Sequence, residues 1–137
     1  MYKGIAHVAY NVTDYDRAME FYCGKLGFTK HVEMYQDGKL WIQYLRVAPF
    51  QYIEIFPGRE YDPKAKASYN HLSIAVTDMK SHRDDLLKKG VEVSEIVKGI
   101  DGNYQCWITD PDGNRIELME LMPDGIQWQA EEKIGSK

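Results

Sequence analysis

Two histidines and two glutamates have the type and spacing to do chemistry. Glu54 lies between Ile53 and Ile55, and Glu117 lies between Ile116 and Leu118, in runs that otherwise read as buried strand. A carboxylate is costly to bury there unless it is paired or binds a metal. His7 opens "HVAYNVTD" and His71 opens "HLSIAVTD", 64 positions on from 7 to 71. "QYIEIF" begins at Gln51 and "NRIELM" at Asn114, 63 positions on from 51 to 114. The span from His7 to Glu54 is 47 positions and that from His71 to Glu117 is 46. A His and a Glu therefore recur as a pair. Taken singly, a strand histidine is more often a hydrogen-bonded structural residue, and a strand glutamate more often sits on the wet face of a half-buried sheet. The matched register of all four favours a shared role. Facing one cavity, they would hold a divalent cation, since imidazole suits transition metals and carboxylates accept a range of divalent ions.

The elements that must position these residues repeat as well. After each histidine strand comes a helix signal. Thr13 is a candidate N-cap, followed by Ala18, Phe21, Tyr22 and Leu26 at helical spacing and by Gly27 as a stop. In the second copy Thr77 is the cap, Met79, Leu86 and Leu87 make a weaker stripe, and Gly90 is the stop. Strand-like runs follow: "FTKHVEMY", "LWIQYLRV" and "QYIEIF" in the first copy, with "QDGK" as a hairpin turn, then "VEVSEIV", "YQCWIT" and "NRIELMEL" in the second. The order is β-α-β-β-β, twice. It predicts one α+β domain over residues 1–137, with module one at about 4–60, module two at about 68–122 and a C-terminal tail at 123–137. "YDPKAKAS" reads as the linker, and the tail as a short helix with frayed last residues.

Strand alternation sorts the side chains. Val8, Tyr10 and Val12 oppose His7, Ala9 and Asn11; Leu72 and Ile74 oppose His71 and Ser73. Val8, Ile53, Leu72, Ile74, Ile116 and Leu118 are expected in a helix-covered core, with the His and Glu side chains on the other face. Asn11, Phe56 and Met119 share the ligand side and are candidate pocket walls. His31 and His82 have no repeated partner and read as surface. Cys23 and Cys106 read as structural rather than nucleophilic. Trp41 and Trp107 read as core fillers.

Composition bounds the rest. The 137 residues are 44% hydrophobic, which suits a globular chain with a sizeable core. The 17 basic residues against 21 acidic ones, a net charge of −4, argue against a nucleic-acid footprint. The mixed-sign "SHRDDLLKKG" reads as a solvated helix face. No apolar run approaches the roughly 18 residues of a membrane span, and "MYKGIAHVAY" lacks a signal peptide's apolar core. Two cysteines make no disulfide framework, and a reducing cytoplasm is the expected compartment.

Taken together, "HVAYNVTD…FYCGKLGF", "YIEI", "HLSIAVTD" and "DPDGNRIEL" resemble the vicinal oxygen chelate superfamily over about residues 4–121. That group includes glyoxalase I, methylmalonyl-CoA epimerase, extradiol dioxygenases, fosfomycin-resistance thiol transferases and metal-free bleomycin-binding proteins. The resemblance implies two paired βαβββ modules forming a curled mixed sheet around a metal-binding cup, with helices on the convex side. It also implies a small-molecule partner and a homodimer. The cup can be built within one chain or by exchanging modules between two, and no residue here chooses. Glyoxalase I uses His, Glu, His and Glu, and His7, Glu54, His71 and Glu117 stand at those motif positions. Dioxygenases and the fosfomycin enzymes need only two His and one Glu, the epimerase usually has Gln at the position of Glu54, and the bleomycin-binding proteins lack the set.

The best match is therefore a glyoxalase I-like lyase with nickel, cobalt, manganese, iron or zinc, acting on a thiol adduct of a 2-oxoaldehyde through an ene-diolate. The alternatives are an epimerase, an extradiol-type dioxygenase or a non-catalytic small-molecule binder. On the glyoxalase reading Glu117 is the leading base, and Glu54 is a ligand that can serve the opposite face. The chain departs from glyoxalase I at Asn11, where an Arg that grips the glutathione carboxylate is expected, and at "TKHVE", where another Arg is expected. These departures argue against glutathione as the thiol.

Overall fold

The computed structural model describes residues 4–58, 60–62 and 69–135. Most of the expected linker, and the last two residues of the tail, lie outside that set. The chain divides into two compact units, Met1–Lys66 and Ala67–Lys137, and the fold class is α+β, a βαβββ module in each.

In the first unit β1 (His7–Val12) precedes α1 (Tyr15–Met19), which runs on as a π-helical turn over Glu20–Lys25. Then come β2 (Thr29–Gln36), β3 (Lys39–Ala48) and β4 (Gln51–Pro57). The sheet order is β1-β4-β3-β2, with β1 parallel to β4 and the other pairs antiparallel. The helix starts one residue later than expected. Asp14, not Thr13, is the N-cap, and its carboxylate accepts the Arg17 N–H at 3.0 Å. The π-helical turn is closed by Leu26 N–H donating to Phe21 C=O. It buries Phe21 and Tyr22, and Tyr22 stacks on Tyr10 of β1. The β2–β3 hairpin turns at Asp37 (φ 50°) and Gly38 (φ 72°), the left-handed pair that a tight two-residue turn requires.

The second unit repeats the plan. It contains β5 (Leu72–Ala75), α2 (Met79–Lys88), β6 (Val97–Lys98), β7 (Tyr104–Thr109), β8 (Arg115–Glu120) and a tail helix, α3 (Ile126–Ile134). The sheet order is β5-β8-β7-β6, with β5 parallel to β8. Again the cap is one residue on. Asp78, not Thr77, accepts the Ser81 N–H, and Glu120 accepts the Met79 N–H at 2.9 Å. The α2 helix ends in a Schellman turn at Gly90, with Val91 N–H donating to Leu86 C=O and Gly90 N–H to Leu87 C=O. Leu87, expected on the apolar stripe, is exposed.

The expected strand "VEVSEIV" shrinks to its last residue, Val97, paired in β6. Arg83 is the physical reason. Its guanidinium takes the Ser94 and Val93 carbonyls, while Ser94 Oγ accepts the Trp107 N–H in place of a backbone carbonyl. Ser94 N–H still donates to the Trp107 carbonyl at 3.0 Å, but side-chain bonds take the other ladder positions around it.

Alternation holds on the apolar side. Tyr10, Val12, Ile53 and Ile55 are buried in the first unit, and Ile108, Ile116, Leu118 and Leu86 in the second. Val8, Leu72 and Ile74 are only half-buried, which corrects the expected core. They lie on β1 and β5, the edge strands of their sheets, with a neighbouring strand on one side only. Among the described residues no helix is long and apolar enough to cross a membrane.

Candidate functional site

Parallel pairing sets the first His–Glu pair. Glu54 is in register with Ala9, and His7 lies two residues before Ala9 on the same face. The diagonal brings His7 Nε2 to 3.4 Å from Glu54 Oε2. The second unit uses the same diagonal. Ser73 faces Glu117, and His71, two residues earlier, places Nε2 3.5 Å from Glu117 Oε2. Both carboxylates are buried, with side chains 9% and 8% exposed, while the histidine rings are 43% and 32% exposed. Each pair thus opens on one side to solvent.

What lies behind each histidine differs. His71 Nδ1 is 2.6 Å from Asn70 Oδ1. An amide oxygen only accepts, so Nδ1 donates the proton of this bond and Nε2 is the nitrogen turned toward Glu117. Glu117 has no hydrogen-bond donor among the described residues. Nε2 thus faces a buried carboxylate at 3.5 Å. A charge-assisted hydrogen bond would be shorter, about 2.7–2.9 Å. Two atoms each about 2.0–2.2 Å from one ion, the usual range for nitrogen and carboxylate ligands, lie about 3–3.5 Å apart. The donor set fits a divalent cation on its chemistry and spacing. Among the described residues no three of His, Cys, Asp and Glu form a cluster; each unit supplies two donors.

The strand on the far side of each glutamate supplies an aromatic ring. Tyr44 is in register with Glu54, and Trp107 with Glu117. The Tyr44 hydroxyl donates to Glu54, and this hydrogen bond is the first cause, ahead of desolvation, that raises its pKa above the ordinary tyrosine value. Tyr44 meets the His7 ring edge-on at 6.3 Å and Tyr52 at 6.1 Å. His31, exposed as expected, stacks on Tyr52 at 5.3 Å. In the second unit Trp107, expected in the core, is half-buried and meets His71 edge-on at 4.8 Å. The Arg115 guanidinium lies over the Trp107 ring at 4.2 Å.

Tyr44, Trp107, Asn70, His31 and Arg115 were not identified as site residues from sequence. The strand parity of Tyr44 and Trp107 was available as a signal, but their register against the glutamates was not.

Of the pocket-wall candidates, Asn11 is exposed on the face of His7 and lies in register with Phe56, whose ring meets Trp41 edge-on at 6.3 Å. Met119 is half-buried, in register with Ala75 and Gln105. Both cysteines are free thiols with pKa raised by burial. Cys106 donates to Met79 Sδ at 3.4 Å, a packing contact rather than a nucleophile's setting.

Residues 4–118 match the Glyoxalase/Bleomycin resistance protein/Dioxygenase superfamily. The chain belongs to this superfamily. Its members generally use divalent metals. The chain is 31% identical to the uncharacterized protein YwkD of Bacillus subtilis (strain 168), over 86% of this chain and 97% of YwkD. It is 28% identical to a glyoxalase family protein from Enterococcus faecalis, at a TM-score of 0.75, over 87% of this chain and 98% of that one. A lactoylglutathione lyase from Agrobacterium tumefaciens, 18% identical, has the same fold at a TM-score of 0.66, over 87% of this chain and 94% of that one.

Proposed function

We propose that this chain is a metal-dependent, glyoxalase I-like lyase. Its substrate is the hemithioacetal of a 2-oxoaldehyde and its product a 2-hydroxyacyl thioester. His7, Glu54, His71 and Glu117 are its metal-binding residues, for nickel, cobalt, manganese, iron or zinc. The observation that carries this reading is the repeated His–Glu pair, above all the buried Glu117 carboxylate 3.5 Å from His71 Nε2, farther than a charge-assisted hydrogen bond and with no hydrogen-bond donor among the described residues. The ion supplies Lewis-acid polarisation of the two neighbouring substrate oxygens.

The chain's own groups divide the remaining work. Glu117 takes the proton from the thiol-bearing carbon and returns it to the neighbouring carbon, which converts the ketone into the hydroxyl and the hemithioacetal into the thioester. It is the carboxylate of the two that no side-chain hydrogen bond ties among the described residues. Glu54, tied to the Tyr44 hydroxyl, stays a ligand. Asn70 fixes the His71 ring and its tautomer. Asn11, Phe56 and Met119 line the substrate. At Asn11 no guanidinium is available to fork onto a glutathione carboxylate.

The test is metal analysis coupled to turnover. The purified protein should hold near-stoichiometric divalent metal after reconstitution, and His71→Ala should lose most of it while remaining folded. Methylglyoxal should turn over with a small thiol about 10- to 100-fold better than with glutathione, the loss expected for one missing charge-assisted contact. Full metal in His71→Ala rejects the site. A glutathione kcat/KM of about 10⁶ M⁻¹s⁻¹ or more rejects the role given to Asn11.

A further inference from the structure

Arg115 is a cation held by a ring and, among the described residues, paired with no carboxylate. It lies on β8 two residues before Glu117, on the same strand face and about 7 Å along the strand. Its guanidinium rests on the Trp107 ring at 4.2 Å, and that ring rests edge-on against His71 at 4.8 Å. Among the described residues it makes no hydrogen bond and no ion pair. Arg83 in the same unit shows the contrast. Its guanidinium is committed to the Ser94 and Val93 carbonyls and to Glu95 at 2.9 Å. Arg46, on the face of Tyr44 in the first unit, has neither a salt bridge nor a ring over it among the described residues. Stacking on indole fixes the guanidinium plane while leaving its N–H edge open, the arrangement suited to forked recognition of a carboxylate.

We propose that Arg115 is a specificity-determining residue that binds a carboxylate carried by the substrate beyond its two reacting oxygens. The preferred thiol adduct or chelator is therefore an acid, gripped from the second unit and not from Asn11. The cation also offsets, at the site, the repulsion that a chain of net charge −4 exerts on an anionic substrate. This inference rests on the proposed metal site, and its test separates the two.

The manganese-reconstituted protein is titrated calorimetrically with 2-oxobutyrate and with 2-oxoglutarate, which share the vicinal oxygens and differ in the distal carboxylate. The wild type should bind 2-oxoglutarate at least about 10-fold more tightly, the scale of one charge-assisted contact. Arg115→Gln and Arg115→Met should bring the ratio to about one, leave the 2-oxobutyrate affinity and the metal content unchanged, and Arg115→Lys should restore part of the preference. Arg46→Gln should keep the full ratio. Equal affinities in the wild type, a ratio that survives in Arg115→Gln, or one lost in Arg46→Gln overturns the assignment with the metal site intact. If the protein takes up no metal, the metal site fails. The same titrations on the metal-free protein then decide Arg115, a preference lost in Arg115→Gln supporting it and no preference or no binding overturning it.

Discussion

The two units keep their donors and change everything that touches them. His7–Glu54 and His71–Glu117 are set by one diagonal of a parallel strand pair and differ by 0.1 Å in separation. Around them, equivalent positions have diverged. Tyr44 donates to Glu54, whereas Trp107, its counterpart in register with Glu117, makes no hydrogen bond to it among the described residues. Tyr52 packs on Tyr44, whereas Arg115 lies over Trp107. Beneath the sheet, Tyr15 donates to the wholly buried Gln43 at 2.8 Å, whereas Met79 accepts from the wholly buried Cys106 at 3.4 Å. Backbone register holds the donors, so they survive. Their neighbours meet only through side chains, so each unit is free to give its carboxylate a different task. The donor-tied Glu54 suits a ligand, and the donor-free Glu117 suits a base.

The sharpest way to break this comparison is at the carboxylates. Glu117→Gln should lower kcat about 10²- to 10⁴-fold, the usual range for a lost general base, while Glu54→Gln in metal-saturated protein should lower it less than about 10-fold. Equal losses would mean that the two glutamates share one job.

Stability should separate the sheet undersides next. Gln43 accepts from Tyr15 and donates to the Val32 and Tyr44 carbonyls. Gln43→Met leaves buried polar groups unmatched and should cost about 2 kcal/mol in urea unfolding. Cys106→Ala removes one sulfur from a packed site and should cost about 1 kcal/mol. The reverse order would show that the polar underside is not the more demanding one.

A turn gives a smaller effect of opposite sign. Phe50 (φ 59°) and Gly113 (φ 86°), 63 positions apart, both take the left-handed conformation. Phe50 is 84% exposed, so it gains little packing there. Phe50→Gly should stabilise the chain by up to about 1 kcal/mol, the left-handed strain being partly offset by glycine's greater unfolded entropy. A destabilised variant would show that Phe50 makes contacts its exposure does not suggest.

The smallest effect is alkaline. The hydrogen bond to Glu54 raises the Tyr44 pKa, so its contribution to stability is full below the unfolded tyrosine value of about 10 and is lost as pH rises through the folded value. Absorbance titration should show two late tyrosines in the wild type, Tyr44 and the Glu33-bonded Tyr35, with the Tyr44 step missing in Tyr44→Phe and lowered in Glu54→Gln. An unchanged pair of late steps in both variants would break the Tyr44–Glu54 link.

The sequence by itself determined the repeat, the strand faces and the His and Glu of each pair. Hydrophobic alternation with a period of two states which side chains share a face, and the 63- to 64-residue offset states that two faces are alike. It also came within one residue of both helix starts, missing only that Asp14 and Asp78 cap better than the threonines before them. Tertiary structure alone decided which residue on β3 or β7 lies opposite each glutamate, because register is a relation between strands far apart in sequence. It decided that Trp107 belongs to the site face rather than the core, that Asn70 aims His71, and that Arg83 dissolves the strand before β6 by taking its carbonyls. Those outcomes turn on which groups satisfy buried donors and acceptors, and the order of residues along the chain carries no record of that.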